Sequence, residues 1–284
     1  MTHSQARFIV NTYHIAGKLI VRIFLGLFAI ITVFPFVWSA ILATHDRTTM
    51  FTGGIDFSFG DKIETNYASL LSIMDFWSGM MNSVSISVIG TTISLLFCSM
   101  AGYALAVFTF RGKTAIFSVM IGSMMIPPVL TLIPYYMVIS AMGLANTHVA
   151  VWLPFTINPF GIFLIRQYVV ASVPKDLLEA AKLDGANALR TYWSIVLPLL
   201  RPGLATLAIV QFVFLWNNFL QPLVVLNSPE KMVITQMLRS VQGVPNTPWG
   251  AVMLGTTISI LPLLAIYMTA SKQMIAGLTS GAVK

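Results

Sequence analysis

Five stretches of this chain contain no aspartate, glutamate, lysine or arginine, and each is long enough to cross a lipid bilayer. A membrane-spanning helix needs about 20 consecutive, mostly apolar residues. Only 9% of the 284 residues are charged, whereas soluble domains carry about 25%. The sequence therefore predicts an all-α, polytopic membrane protein. The five uncharged stretches are Ile23–His45, Phe76–Phe110, Thr114–Ile165, Pro202–Pro229 and Ser240–Ser271.

The third stretch is long enough for two helices, and the segment from Gly143 to Thr147 contains turn-forming residues near its middle. We therefore predict six transmembrane helices within one transmembrane domain covering residues 1–284. The predicted spans cover approximately residues 20–43, 80–108, 115–138, 148–168, 203–226 and 251–271.

The distribution of basic residues predicts the orientation of these spans. If both termini are cytoplasmic, twelve of the 16 Lys and Arg residues lie on the cytoplasmic side and four on the outer side. Cytoplasmic loops of membrane proteins carry an excess of Lys and Arg. We therefore expect the N-terminus and the C-terminus to be cytoplasmic.

A charged segment interrupts the apolar pattern between predicted spans four and five, at about residues 174–198. Its pattern predicts two short helices. The first begins near Pro174 and ends at Gly185, where we expect a turn that a Cβ atom would strain. The second is capped by Asn187 and ends at Pro198. On the expected orientation this segment is cytoplasmic.

The charged segment resembles the EAA signature of ABC importer permeases. Glu179-Ala180-Ala181, Gly185 after three residues, and Ile195-Val196-Leu197-Pro198 after nine more occupy every fixed position of that pattern. The resemblance implies a type I ABC importer permease fold, in which this coupling element docks on a separate ATP-binding subunit. The residues that it assigns to this contact are Glu179, Ala180, Ala181, Asp184, Gly185, Ile195, Leu197 and Pro198.

Further motifs are similar to the MalG-like branch of carbohydrate permeases. They are Asn82-Ser83, Ala101–Ala106 followed by Phe110–Lys113, Met125-Ile126-Pro127, Leu132-Ile133-Pro134, Gly143-Leu144 and the tail Gly277–Lys284. The resemblance implies half of the translocation pathway for a di- or oligosaccharide, in the bacterial inner membrane. A permease for glycerol phosphate or another polyol is the alternative that this resemblance leaves open.

The resemblance also implies the partners. They are a second permease subunit, two ATP-binding subunits and a periplasmic or extracellular solute-binding protein. Gly112-Lys113-Thr114 is not a P-loop, because Val107 stands where that motif needs its first glycine. The chain is therefore expected to be no enzyme and to bind no cofactor, with ATP and Mg²⁺ on partner subunits. No Cys/His cluster has metal-ligand spacing, and the scattered charges do not favour a nucleic acid partner.

Predicted span five departs from the branch, which commonly reads Trp-Asn-Asp-Phe-Leu-Trp-Pro. Here Trp216 is followed by Asn217-Asn218-Phe219-Leu220-Gln221-Pro222. The spacing of the three amides predicts one shared helical face. Amides facing lipid are costly, so they either line a solute path or bond to neighbouring helices. Asn158, which with Pro159 interrupts predicted span four, has the same two interpretations.

An ion-coupled secondary carrier is the rival class of transporter. Such carriers usually place ionisable side chains within the bilayer, where they relay ions. All nine acidic residues of this chain lie outside the predicted spans. The sequence therefore favours the ABC permease over this rival.

Overall fold

The computed structural model describes residues 3–282 except 53, 55 and 244, with side chains described between residues 17 and 269. The described part of the chain contains helices and no strand, which confirms the all-α prediction. The α-helices are α1 His3–Leu42, α2 Arg47–Thr52, α3 Ile63–Ile73, α4 Phe76–Val107, α5 Lys113–Ser123, α6 Leu132–Ala141, α7 His148–Trp152, α8 Pro159–Ser172, α9 Lys175–Leu183, α10 Ala188–Thr191, α11 Leu197–Leu199, α12 Arg201–Trp216, α13 Leu220–Val225, α14 Ile234–Val241 and α15 Trp249–Ala282. Three 3₁₀ turns cover Pro128–Thr131, Leu153–Phe155 and Pro229–Lys231, and a π-helical turn covers Tyr192–Val196.

Three segments of the described chain are continuous helices long and apolar enough to cross a membrane, namely Gly17–Leu42, Phe76–Val107 and Trp249–Thr269. Three pairs of shorter helices meet the same criterion but are bent at a break. The prediction of six spans agrees in number with the structure when each bent pair is counted as one span. The bends are 100° between Lys113–Ser123 and Pro128–Ala141, 43° between His148–Phe155 and Pro159–Ser172, and 78° between Ala188–Leu199 and Arg201–Trp216. The third pair begins at Ala188, inside the predicted coupling element, and ends at Trp216, so its bounds differ from the predicted span 203–226.

Prolines in the sequence mark some of the breaks between helices and not others. Pro127 and Pro128 follow the end of α5, and Pro159 begins α8, so both breaks lie at prolines. A further break, which is not one of the three bends, divides the predicted fifth span. The helix α12 ends at Trp216, and α13 begins only at Leu220. Asn217 caps the end of α12 and shares no helical face with Gln221. The prediction of one face for the three amides is therefore wrong.

The described residues form two compact units, whereas the prediction of a single domain over 1–284 stays a prediction. The first unit comprises residues up to Ser72 together with Pro245–Ile258. In it the amide of Asn66 donates to the carbonyl oxygens of Ala43 at 2.8 Å and His45 at 2.9 Å. The backbone N–H of Thr49 donates to Asp46 at 2.7 Å, which lowers the pKa of that carboxyl and caps α2.

The second unit, which covers Ile73–Val244 and the chain from Ser259 onward, is built around α4. This helix packs against α8 and α12 along a series of buried small residues. A Cβ atom on Gly102 would lie 2.9 Å from the backbone nitrogen of Arg166, so only glycine permits the close approach of α4 and α8. In the same unit the amphipathic helix α14 packs on α4, where the N–H of Ile234 donates to Ser83 Oγ at 2.8 Å.

Candidate functional site

The predicted coupling element folds as two helices joined by a tight turn. Gly185 follows the end of α9 with φ of 73°, in the left-handed region that favours glycine. The N–H groups of Gly185 and Ala186 donate to the carbonyl oxygens of Lys182 at 3.0 Å and Ala181 at 2.9 Å. This pattern closes the C-terminus of α9. Asn187 then accepts a hydrogen bond from the N–H of Arg190 at 2.8 Å and caps α10, as the sequence predicted.

Buried side chains fix this element to the membrane helices. Leu178, Tyr192 and Val196 belong to one apolar cluster with residues of α4 and α8. Tyr192 is 2% exposed, and its hydroxyl lies 2.7 Å from Ser99 Oγ on α4. Its ring also lies 5.7 Å from that of Tyr103. A displacement of the coupling element would therefore reach α4 through packed contacts and a buried hydrogen bond.

The outer face of the same element carries apolar side chains that the structure leaves exposed. Leu183, at the end of α9, is 89% exposed, and Leu189 and Trp193 are 59% and 52% exposed. Ala180 is exposed as expected. Ala181 is not, because it faces the protein interior and is only 4% exposed, so the prediction that both alanines present a surface to a partner is wrong for Ala181.

The remaining predicted coupling residues lie along both sides of this element. Glu179 lines a crevice of about 230 Å³ with Lys175 and Lys182, at the ends of α4 and α8. It makes no ion pair within 4.0 Å among the described residues. Asp184 and Pro198 are exposed, and Ile195 and Leu197 are half-buried. Pro198 does not end the second helix, which continues to Leu199 before the bend at Leu200.

A cavity of about 720 Å³ opens in the second unit beside three helix breaks. Its walls come from the segment after the α5 break, from the 3₁₀ turn before α8, and from the gap between α12 and α13. Asn217, Asn218 and Gln221 all line it, although they do not share a helix. The other lining residues are Pro128, Val129, Thr131, Leu132, Tyr135, Pro154, Phe155, Val213, Phe214, Phe219 and Leu220.

Hydrogen bonds hold the open segment between α12 and α13 in place. The N–H of Gln221 donates to Asn218 Oδ1 at 3.2 Å, and Thr235 Oγ1 donates to the carbonyl oxygen of Asn218 at 3.2 Å. The buried amide of Gln221 reaches the carbonyl oxygen of Ala150 at 3.5 Å. These contacts satisfy backbone groups that the helix leaves unpaired, as a break within a membrane requires.

Asn158 lies outside this cavity and joins three helices. Its Oδ1 accepts from the N–H of Gly161 at 2.6 Å and caps α8. Its Nδ2 lies 3.2 Å from Ser94 Oγ on α4 and 3.1 Å from Gln211 Oε1 on α12. The geometry favours the interhelical interpretation of Asn158 over a place on the solute path.

Comparison with known proteins identifies the family. Residues 94–276 match the model of the binding-protein-dependent transport system inner membrane component. The lactose transport system permease protein LacG of Rhizobium radiobacter is 33% identical over 260 residues, covering 92% of this chain and 94% of the relative. The trehalose/maltose transport system permease protein MalG of Thermococcus litoralis is 31% identical, covering 91% and 94%.

The chain belongs to this family of transport permeases. A third relative, the arabinooligosaccharides transport system permease protein AraQ of Halalkalibacterium halodurans, is 34% identical over 259 residues, covering 90% of the permease and 92% of the relative. The fold matches a chain of a bacterial ABC transporter that imports the acidic polysaccharide alginate, with a TM-score of 0.79 and 24% identity over 96% of the permease and 98% of that chain. The permease is therefore a multi-pass membrane protein with the ABC importer permease fold.

Several residues of the permease that form these two sites were not singled out from the sequence. Leu183 is a leucine in a polar segment outside every predicted span, and that position was the available signal for its exposure. Tyr135 and Phe214 line the cavity, but each lies within an apolar stretch that gives no sign of which side chains face a cavity. Sequence alone could not have identified them.

Proposed function

We propose that this permease forms half of the translocation pathway for a di- or oligosaccharide in a binding-protein-dependent ABC importer. The observation that carries the proposal is the cavity at the helix breaks, in a chain whose relatives are named for lactose, arabino-oligosaccharides and trehalose or maltose. Its volume of about 720 Å³ lies within the ordinary range for small-molecule sites. The solute passes along the amides and aromatic rings that line it.

Coupling to ATP takes place at the element that contains α9 and α10. Its exposed leucines and Trp193 form an apolar surface of the kind that partners bury in interfaces. Glu179 makes no ion pair among the described residues and lines a crevice with Lys175 and Lys182, so it is available to a cationic group of the partner. The partner in this proposal is an ATP-binding subunit, and the permease itself hydrolyses no ATP and binds no cofactor.

The contacts that anchor the coupling element determine how movement of the ATP-binding subunits reaches the membrane helices. ATP binding draws the two ATP-binding subunits together and displaces the docked element. Because Tyr192 and Leu178 share a core with α4 and α8, the displacement rotates these helices as a rigid group. The cavity then opens to the outside, and ATP hydrolysis resets it.

The complete importer in this proposal contains a second, different permease subunit, two ATP-binding subunits and an external solute-binding protein. One structural neighbour, which is 16% identical with a TM-score of 0.64, is described in complex with a periplasmic protein that carries an alginate pentasaccharide. The permease lies in the bacterial inner membrane with both termini and the coupling element in the cytoplasm, as its Lys and Arg distribution favours.

Purification of the tagged permease from its own membranes tests this proposal. The expected result is a complex that contains an ATP-binding subunit and a second permease, identified by mass spectrometry. After reconstitution with its solute-binding protein, the complex takes up an oligosaccharide only when ATP is present. A permease that is purified without an ATP-binding subunit, or uptake that follows an ion gradient without ATP, would contradict the proposal.

A further inference from the structure

We infer that the cavity selects an uncharged sugar and that the side-chain amide of Asn217 is the group that recognises it. This inference rests on the proposed function and narrows its solute. It follows from three features of the cavity: the groups that are left without partners, the charge of the walls, and the aromatic surface.

Asn217 differs from the other polar residues of the cavity because neither its Oδ1 nor its Nδ2 has a hydrogen-bond partner among the described residues, whereas the Oδ1 of Asn218 accepts from the N–H of Gln221 at 3.2 Å. Tyr135 donates to the carbonyl oxygen of Ala150 at 2.7 Å, and Thr131 donates to the carbonyl oxygen of Pro128 at 2.8 Å. The amide of Gln221 is 5% exposed and turns towards Ala150. Within the described part of the chain, the side chain of Asn217 makes no hydrogen bond, and the residue is exposed to the cavity.

The free amide suits a hydroxyl-bearing solute. Its oxygen accepts hydrogen bonds and its nitrogen donates them. A sugar hydroxyl also donates and accepts, so one amide satisfies neighbouring hydroxyl groups in both directions. An ionised carboxylate or phosphate group only accepts hydrogen bonds, so where such a group replaces a hydroxyl beside Asn217 it can pair with the amide nitrogen and not with the amide oxygen.

The charge of the walls argues against an anion. Every residue that the structure places around the cavity lies in one of two uncharged stretches, Thr114–Ile165 and Pro202–Pro229. A charge that leaves water needs a paired opposite charge to offset its desolvation. These walls provide amides, hydroxyls and rings, and none of these groups neutralises an anion.

Aromatic rings provide the rest of the recognition. Phe155 and Phe214 lie 5.0 Å apart at an angle of 68°, and both face the cavity with Phe219. Ligand sites typically combine such apolar walls with a few placed polar groups. A sugar ring has apolar C–H faces, which can pack on the aromatic rings, and a hydroxyl-bearing edge, which can bond to the amide of Asn217.

The test uses the whole purified importer in proteoliposomes that contain ATP, with its solute-binding protein outside. The neutral probes are lactose, trehalose, maltose, raffinose and arabinotriose, and each competes against a counterpart that carries a carboxylate or phosphate. We expect uptake of at least one neutral probe and no competition from its charged counterpart. Asn217→Leu should lower that uptake by about 2- to 12-fold, the loss expected for one neutral hydrogen bond.

Asn227→Leu is the matched control, because Asn227 is exposed outside the cavity and should keep wild-type uptake. Equal uptake of charged and neutral solutes, or an unchanged rate in Asn217→Leu, would overturn the inference and leave the proposed function intact. A lower yield of the assembled complex in Asn217→Leu would also overturn it, because Asn217 would then serve packing. The absence of ATP-dependent uptake of every probe would contradict the proposed function itself.

Discussion

Replacement of Gly185 by valine isolates the role of the turn in the coupling element. No heavy atom beyond the adjacent residues lies within 4 Å of the position that a Cβ atom would take, so the cost of the substitution is conformational. Gly185 has φ of 73°. A residue with a Cβ atom loses roughly 1–2 kcal/mol in this left-handed region, and a β-branched residue is poorly compatible with it.

That free energy shifts the equilibrium between the native turn and other turns by about 5- to 30-fold. The buried contacts of Leu178 and Tyr192 remain, so we expect Gly185→Val to insert into the membrane at the wild-type level. We also expect it to lose most of its ATP-binding subunit on purification and to lose uptake. Co-purification and transport are measured on the same membranes.

Gly185→Asn is the matched control, since asparagine adopts the left-handed conformation with little cost. It should retain both the ATP-binding subunit and uptake. Wild-type uptake in Gly185→Val would refute the docking role of the turn. Equal damage in the asparagine and valine variants would show that something other than backbone conformation matters at this position.

Three further predictions concern orientation, the cavity and the docking face. In a Cys98→Ala background, a cysteine at position 187 should resist an impermeant thiol reagent applied to intact cells, and labelling from outside would refute the cytoplasmic location of the coupling element. Asn218→Leu should weaken the stabilisation of the solute by about 0.5–1.5 kcal/mol and so reduce uptake selectively, with normal complex yield and ATP hydrolysis. A reduced yield with unchanged sugar preference would assign Asn218 to packing. Leu183→Ser should weaken retention of the ATP-binding subunit without lowering permease yield, since Leu183 is 89% exposed, whereas Leu183→Met should behave as wild type; undiminished retention in the serine variant would remove Leu183 from the interface.

The positions of the spans could be predicted because charge is excluded from the bilayer core. The start of α4 at Phe76 follows the last acid before it, and α8 begins at Pro159 where a proline is tolerated without its N–H. Gly185 could likewise be placed in a turn, because glycine is the residue that enters the left-handed region at no steric cost. In each case one residue, an acid, a proline or a glycine, marks the place where a helix begins or the chain turns.

The gap between α12 and α13 had no comparable local signal. The helix ends at Trp216, well before Pro222, and the gap is stabilised by the hydrogen bond from Thr235 to the backbone of Asn218. Thr235 follows 17 residues later in the chain, so only the folded protein brings the two together. The burial of Ala181 beside the exposed Ala180 also depends on how α9 packs.

ATP bound by the partner subunits changes access to the cavity in the proposed mechanism, because the docked coupling element transmits their movement. A cysteine in place of Leu220, which lines the cavity and is 48% exposed, reports this access in a Cys98→Ala background. The rate of labelling by an impermeant thiol reagent from the outer side is measured in the assembled complex, with and without ATP held unhydrolysed. We predict faster labelling in the ATP-bound complex, and a rate that does not depend on nucleotide would contradict the account.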